Sequence, residues 1–557
     1  MDGRMRRVVV VALLVLCARW AACGQAATAA GATGPVAIAT FECVGLYWRP
    51  SDGGEQVPCD FVYREQGAAQ WRKALSLWYD GRNGEYRGSL VNLKPGTTYE
   101  TRLSLGGAGS AESVTVTTWK QDFPIARTVH LPSGSLAEPY TIAQSGTAEG
   151  YVLYTSAPDG PTTIDVADQG DNCIKVRASY VIIRGLILKG AQRDGIHLRD
   201  VHDVVIEGND ISGWGRKNKF GFGVNEDAGI RGFGRLQRIV IQRNRIHHPR
   251  YDSNNWEEKN VEGNHPGGPK GIVFDENAGN HVFRYNEIYS DEDHCFNDGI
   301  GHWNNFSTNG FPGPDTDVYG NIVRDVWDDA LEIEGGGRNV RVWGNYIDQT
   351  YVGIGTATCS VGPLYIFRNV MARSRIAPGN PDDKARGVFG KLGDGGDYGT
   401  GRQYWFHNTV LQPEAPGCEM PLGVVTCLAA WGGPFTETVS YNNIWHSYTS
   451  RRGKSISAGN TSKRNTFDYD LCNNRVLAYE GAEPHRIKGV PVYAPGNGPA
   501  GGPGGMYQLD SSSPGCDAGV VIPNFNDDYQ GAAPDVGAHE AGSPRMEFGV
   551  DAHRPAR

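Results

Sequence analysis

Between residues 200 and 450 one short phrase returns eight times with drift: VVIEGNDI, IVIQRNRI, HVFRYNEI, DVYGNIV, VRVWGNYI, LYIFRNVM, YWFHNTV and SYNNIW. Each alternates apolar and polar positions around an asparagine, and a period of two marks a strand with one buried face. The asparagines are Asn209, Asn244, Asn286, Asn321, Asn345, Asn369, Asn408 and Asn443, separated by 35, 42, 35, 24, 24, 39 and 35 residues. Spacing this uneven excludes leucine-rich repeats and propellers. The 24-residue intervals suit one coil of a parallel β-helix, and the longer ones suit coils that carry loops. Val340 and Val342 then point inward, Arg341 and Trp343 outward, and the asparagines stack at one turn, amide to carbonyl. The pattern predicts a right-handed parallel β-helix over residues 141–540, with Asn286, Asn321, Asn345 and Asn369 on one vertical line.

Before this region the alternation belongs to shorter, independent strands: AIATFECVGLYWRP, DFVYREQ, WRKALSLWYD, EYRGSLVNLKPGTTYETRLSL and ESVTVTTW. They predict a small β-sandwich over residues 31–122, joined through a linker or coil cap at 123–140, with a tail at 541–557. Leu93, Pro95, Thr97 and Tyr99 in LKPGTTY resemble the strand-entry signature of fibronectin type III domains, which implies a corner hydrogen bond from the tyrosine. The fold class is therefore all-β, a sandwich followed by a solenoid.

The first 29 residues place Arg4, Arg6 and Arg7 before the apolar run VVVVALLVLCARWAAC and end on Ala27-Thr28-Ala29, the pattern of a secretory signal. Secretion is the expected fate, with a periplasmic location or a lipid anchor through Cys23 as alternatives. No later stretch supplies eighteen apolar residues, so no integral membrane segment is expected. Export permits disulfides, and proximity in sequence nominates Cys43 with Cys59 and Cys418 with Cys427. The net charge is −9. That balance offers no polybasic footprint for nucleic acid.

A second register carries the candidate chemistry. Segments beginning at Asp194, Lys270, Asp298 and Asp329 alternate so that Ile196, Leu198, Ile272, Phe274, Ile300, Leu331 and Ile333 point inward. His197, Asp275, Glu332 and Glu334 then point outward, and the four leading residues stack at the turn entering the strand. Glu332 and Glu334 share one face about 6.6 Å apart, and Asp298 and Asp329 lie one coil, about 4.8 Å, apart. Asp275 and Glu334 are expected about two coils, roughly 9.6 Å, apart. Carboxylates at such separations suit glycosidic cleavage by a protonated acid and an ionised partner. Asp328, beside Asp329, is placed to raise the proton affinity of its neighbour. The same acids could instead hold Ca²⁺, since carboxylates from adjacent coils can converge on a hard cation. Loops at 250–270 and 302–317 carry Trp256, His302 and Trp303, expected with Asp275 and His294 to bind sugar. A solvated acidic face is the bland alternative.

The phrase from Thr141 to Glu540 resembles the secreted right-handed β-helix group that includes pectate-lyase-like enzymes, polygalacturonases and alginate epimerases. The resemblance implies an extracellular polysaccharide as partner and a monomeric enzyme. Asp328-Asp329 matches the paired acids of polygalacturonases, whereas Asn297-Asp298 lacks their middle residue and Gly301-His302 their final glycine. A lyase reading would use Lys270 and Arg338 as base and positioning cation, with Asp298, Asp329, Glu332 and Glu334 around Ca²⁺. Asp291-Glu-Asp-His294 lacks the proline of the epimerase motif. The acid excess favours a glycoside hydrolase with Asp298 and Asp329 as the pair and Glu332 and Glu334 as competitors. A calcium-dependent polysaccharide lyase and a non-catalytic carbohydrate-binding solenoid are the alternatives.

Overall fold

A computed structural model describes residues 34–554, apart from 107–108, 262, 276, 303–304, 376–386, 397, 413–422, 449–452 and 460–463. The expected signal segment, Trp303 and Cys418 lie outside the described residues. From Ile125–Leu131 to Ile487–Lys488 the chain winds as a parallel coil whose strands form two ladders merged in one 23-stranded sheet and a separate 12-stranded sheet. Each full coil contributes a strand to a first sheet, turns a two-residue corner into a second, and passes to a third. Val181–Arg184, Ile187–Lys189 and Asp194–Arg199 make up one such coil. Asn-phrase strands such as Val340–Trp343 belong to the first sheet, and the acid-bearing strands belong to the third.

The corner between the first and second sheets explains the repeated phrase. Every ladder asparagine is preceded by a left-handed residue with φ between +52° and +64°: Gly208, Arg243, Tyr285, Gly320, Gly344, Arg368, His407 and Asn442. Five of the eight are not glycine, so the turn costs roughly 1 kcal/mol at each of those corners. What offsets that cost is the asparagine. Asn321 Nδ2 donates to Asn345 Oδ1 at 2.9 Å, Asn345 Nδ2 to Asn369 Oδ1 at 2.9 Å, and Asn369 Nδ2 to Asn408 Oδ1 at 3.0 Å. The line is unbroken from Asn209 through Asn244 and Asn286 to Asn443, and Asp470 Oδ1 accepts its last amide at 2.8 Å. Each Oδ1 also accepts the preceding asparagine's backbone N–H, as Asn345 does from Asn321 at 3.1 Å. The expected vertical line is therefore present.

The predicted inward residues Ile196, Leu198, Ile272, Phe274, Ile300, Leu331 and Ile333 all lie in the solenoid core. The segment 123–140, expected as a linker or cap, carries the first coil strand, Ile125–Leu131, paired parallel with Tyr151–Ser156. The tail is no loose end: residues after Lys488 run back over the asparagine corner. Gly537 N–H donates to Asn442 O at 2.7 Å and Gly549 N–H to Gly320 O at 2.8 Å. In the closing segment Asp517 and Asp535 are turn residues, Asp535 accepting Asp517 N–H at 2.8 Å.

The small domain is a sandwich of two four-stranded antiparallel sheets. Tyr99 OH accepts Lys94 N–H at 2.9 Å, the expected corner bond. It docks on the flank of the first sheet: Phe41 is buried among Tyr151, Leu153, Ile182, Val205 and Val240. Fully buried Arg341 pairs with Asp317 at 2.6 Å, whose other oxygen accepts Thr40 Oγ–H. Tyr47 OH donates to Asp315 at 2.8 Å. The Cys43–Cys59 bridge does not form: the two free thiols belong to separate apolar clusters, Cys59 inside the sandwich and Cys43 against the coil. Burial pushes the Cys59 thiol up to about 12. Cys427, whose expected partner lies outside the described residues, is a free buried thiol. Among the described residues no helix is long and apolar enough to cross a membrane.

Asn345→Ala removes the acceptor for two buried N–H groups of Asn321 and the donor to Val318 O. We expect a loss of about 3 kcal/mol or more in unfolding free energy, read by denaturant titration. A loss below about 1 kcal/mol would show that the coils do not depend on the ladder.

A carboxylate centre shared by two buried lysines

The third sheet fixes the site by register. Ala228 pairs with Lys270, Ile272 with Ile300, Ile300 with Leu331, and Asp329 with Val352. Counting back from these pairs, Lys270, Asp298 and Asp329 follow one another on successive coils at the strand entrance, as expected, with Ala228 between Asp194 and Lys270. The outward column one step on runs Gly301, Glu332, Gly355, Lys391 and Ala429. The two glycines matter because a Cβ at Gly301 would stand 2.5 Å from Glu332 Cβ, and one at Gly355 would stand 2.7 Å from Asp329 Oδ1.

Two sets of carboxylates meet here, Asp298 with Asp328 and Asp329, and Asp329 with Glu332 and Glu334. Within each set one oxygen per residue lies within 4.8 Å of the others. All five are buried. Two ammonium groups divide them. Lys270 Nζ lies 2.8 Å from Asp298 Oδ2, 2.9 Å from Glu226 Oε1 and 3.6 Å from Glu332 Oε2. Lys391 Nζ lies 2.5 Å from Asp329 Oδ2 and 3.1 Å from Glu334 Oε1. Asp298 Oδ1 accepts Asp329 N–H at 3.0 Å, and Glu334 Oε1 accepts Ala357 N–H at 3.0 Å.

Asp328 has neither lysine. Its nearest cationic candidate is His265 Nε2, 3.5 Å from Oδ2, on an imidazole more than half exposed. Burial, with the charge of Asp329 added, holds the Asp328 carboxyl well above the usual range. Burial raises Asp329 too, but Lys391 opposes it. Burial and Asp298 push Glu332 well up, against the pull of Lys270. Burial brings Glu334 to about 7, with Lys391 again opposing. Asp328 Oδ1, Asp329 Oδ1 and Glu334 Oε2 have no hydrogen-bond partner among the described residues.

The other expected residues fall in different places. Asp275 and His302 are together, Nε2 to Oδ1 at 2.8 Å, and Arg231 lies 3.3 Å from the same carboxylate. Burial would raise Asp275, but His302 and Arg231 more than offset it, and its carboxyl is held below the usual value. Asp275 is therefore tied to this group on the N-terminal side of the acids, not to Glu334. Trp256 packs among residues that border Asp328. Its Nε1 donates to Trp327 O at 3.0 Å, and its ring lies 4.7 Å from His265, 5.2 Å from Tyr351 and 5.6 Å from Trp431. His294 lies at another corner, against Pro249 O at 2.8 Å and 6.1 Å from the His248 ring.

The proposed lyase pair is separated. The Arg338 guanidinium lies over Tyr47 of the sandwich, 5.7 Å from its ring, because Arg338 sits on the turn leading into the first sheet. Lys270 is held among carboxylates: burial would lower it, but Asp298, Glu226 and Glu332 raise it well above the usual lysine value. Sequence reasoning missed Lys391 and Trp431, and took in His265 and Glu226 only as unnamed members of wall-forming segments. It gave Asp328 only a supporting part. Lys391 was hidden because Gly390 occupies the position paired with inward Ile354, which breaks the alternation of VFGKL.

Calcium fits this centre poorly. Ca²⁺ needs six to eight oxygens at about 2.3–2.6 Å. Here two of the three acids in the first set, and all three in the second, already pair with an ammonium. A dication would have to displace them.

The right-handed β-helix family model matches residues 172–369. No curated protein matches the chain. Among solved structures, DFA-IIIase from Arthrobacter chlorophenolicus A6 is similar at 11% identity and a TM-score of 0.35, covering 60% of this chain and 89% of that one. A mannuronic acid specific polysaccharide family 6 lyase from human gut microbiota is similar at 10% identity and a TM-score of 0.25, covering 62% and 68%. The catalytic unit of a GH87 α-1,3-glucanase from Streptomyces thermodiastaticus strain HF3-3 is similar at 11% identity and a TM-score of 0.26, covering 77% and 88%. Resemblance at this level carries no chemistry across, and the site must be read from its own side chains.

Two outcomes follow from the lysines. Calcium at millimolar concentration should shift the melting temperature of metal-stripped protein by less than about 1 °C, since ligand stabilisation requires selective binding to the folded state; a saturable rise of several degrees would contradict the fit. Lys391→Met should destabilise by about 3–5 kcal/mol at pH 8 by leaving buried charge unmatched. Both acids it abandons then have raised folded values, so the deficit should shrink as pH falls from 8 to 5. A pH-independent deficit would mean that Lys391 acts through packing alone.

Proposed function

We propose that the chain is a carbohydrate-active enzyme that hydrolyses glycosidic bonds, with Asp328 as proton donor and Asp329 as the ionised partner. The observation that carries this reading is the unequal neutralisation of adjacent acids. Asp329 is bound to Lys391 at 2.5 Å, whereas Asp328 is buried without a lysine. Neighbouring groups whose surroundings push their proton affinities apart are the usual basis for an acid and base assignment.

In the reaction the Asp328 carboxyl gives its proton to the leaving glycosidic oxygen as the C–O bond breaks. Asp329 Oδ1, which has no hydrogen-bond partner among the described residues, bonds to the anomeric carbon as the leaving group departs. The Asp328 carboxylate then takes a proton from the water whose oxygen displaces the sugar from Asp329, since carboxylates this close suit double displacement. Asp298, through its bond to Asp329 N–H, and Lys391 position this Asp329 carboxylate. Glu332 and Glu334 line the same floor. In this reading Asp298 moves from the expected reacting pair to a positioning part, and Asp328 beside it is the proton donor.

On a substrate identified by release of reducing ends, Asp328→Asn and Asp329→Asn should each lower kcat by at least about 10²-fold. The melting temperature should be unchanged or higher for Asp328→Asn and lower for Asp329→Asn, which takes a partner from Lys391. Activity should fall as pH rises through the raised Asp328 value, because the proton donor is then lost. Near-normal turnover by folded Asp328→Asn would overturn the assignment. Unsaturated-uronate absorbance near 235 nm would replace hydrolysis by elimination. Glycan binding without turnover in the unmodified protein would leave a binding solenoid.

A further inference from the structure

Beside the carboxylates the strand Val388–Leu392 runs out into Gly393-Asp394-Gly395. This segment is flat for want of side chains. A Cβ at Gly393 would stand 1.9 Å from Trp431 O, and one at Gly395 would stand 2.5 Å from the Phe306 ring. The tripeptide therefore passes between the backbone of the Trp431 loop and the Phe306 ring of another loop. On one side Trp431 is 38% exposed although its ring centroid lies only 5.6 Å from that of Trp256, which is itself held through Trp327 O. On the other, Phe306 is 57% and Tyr398 40% exposed, with ring centroids 6.2 Å apart. Large rings left open to water on anchored loops, next to a buried polar centre, are the exception among surface residues.

The charge pattern limits what these rings can receive. Among the described residues the three cations bound to these acids are matched: Lys391 by Asp329 and Glu334, Lys270 by Asp298 and Glu226, Arg231 by Asp275 and Glu226. A uronate or sulfate arriving here would meet five buried carboxylic residues and no spare positive charge among these groups. Pyranose and furanose rings present C–H faces that stack on aromatics, and their hydroxyls suit the uncharged backbone groups of a glycine-rich strip.

We infer that Trp431 on one side, and Phe306 with Tyr398 on the other, form a subsite for an uncharged glycan, with Gly393-Asp394-Gly395 as its floor. This inference rests on the hydrolase reading for its location but not for its test, which reads binding. The glycan enters the carboxylate centre from this rim, and the unit held there lies one or two sugars from the bond that is cut. The rings set which glycans are retained, and the acids set what happens to them.

The test uses full-length Asp328→Asn protein, so that bound polymer persists. A β-glucan, an α-glucan, a fructan, a galactomannan, polygalacturonate and alginate serve as probes in affinity electrophoresis and calorimetry. At least one neutral polymer should bind, and neither uronate should bind more tightly. Trp431→Ala and Phe306→Ala should each weaken that binding by about 10-fold or more, in line with the worth of a stacked ring. Trp431→Phe and Phe306→Tyr should restore most of it. Preferential binding of a uronate, binding of no neutral polymer, or unchanged affinity in both alanine variants would overturn the subsite. Platform-dependent binding with no hydrolysis by the unmodified protein would overturn the hydrolase reading and leave the subsite standing.

Discussion

The molecule depends on an asparagine amide repeated at one corner of the coil. Each side chain is both donor and acceptor, so a ladder rung can be satisfied only when the next coil presents its own amide at the same height and angle. Rotation of one coil on the next by a residue is already opposed by apolar packing. Such a slip would turn every outward side chain inward. The ladder forbids it, and so brings acids from residues 298 to 334 into line with a lysine at 391.

Electrostatics then acts on a geometry that is already fixed. Buried carboxylates in such numbers cannot all ionise, and burial raises most of them. Two lysines from coils on either side decide which stay charged. Lys270 serves the Asp298 side and Lys391 the Asp329 side, leaving Asp328 as the acid without an ammonium of its own. The acidic run that looks redundant in sequence is thus a set of unequal groups. Their inequality comes from a lysine 60 residues or more away in the chain that pairs directly with Asp329 but acts on Asp328 only from beyond pairing distance.

The sequence disclosed what repeats and concealed what does not. The eight asparagines and the seven inward residues of the acid-bearing strands were legible because period and corner recur on every coil. The Asp298–Asp329 stacking followed from that register. Lys391 was not legible, since its strand has an inward glycine and follows a long interval between ladder residues. Arg338 was misread because charge and nearness in sequence to Glu334 say nothing about which side of the coil a turn occupies; it faces the sandwich. Cys43 and Cys59 were misread in the same way. Sixteen residues apart in one domain, they pack on different sides of it, Cys59 in the sandwich core and Cys43 against the coil.

The two-residue corner has a consequence for how such a molecule can change. Between the first and second sheets every coil from Val181 onward turns in two residues, whether its ladder interval is 24 residues or 42. Length varies instead at the two edges of the third sheet, where the stretches 213–227, 248–269 and 302–316 leave the coil. The spine behaves as a binding that holds pages of unequal width: it keeps them in order and leaves the outer margin free. Insertions can accumulate along that margin without displacing a single rung, and the margin borders the acids. Substrate choice can therefore diverge between descendants while the alignment that makes chemistry available is inherited unchanged.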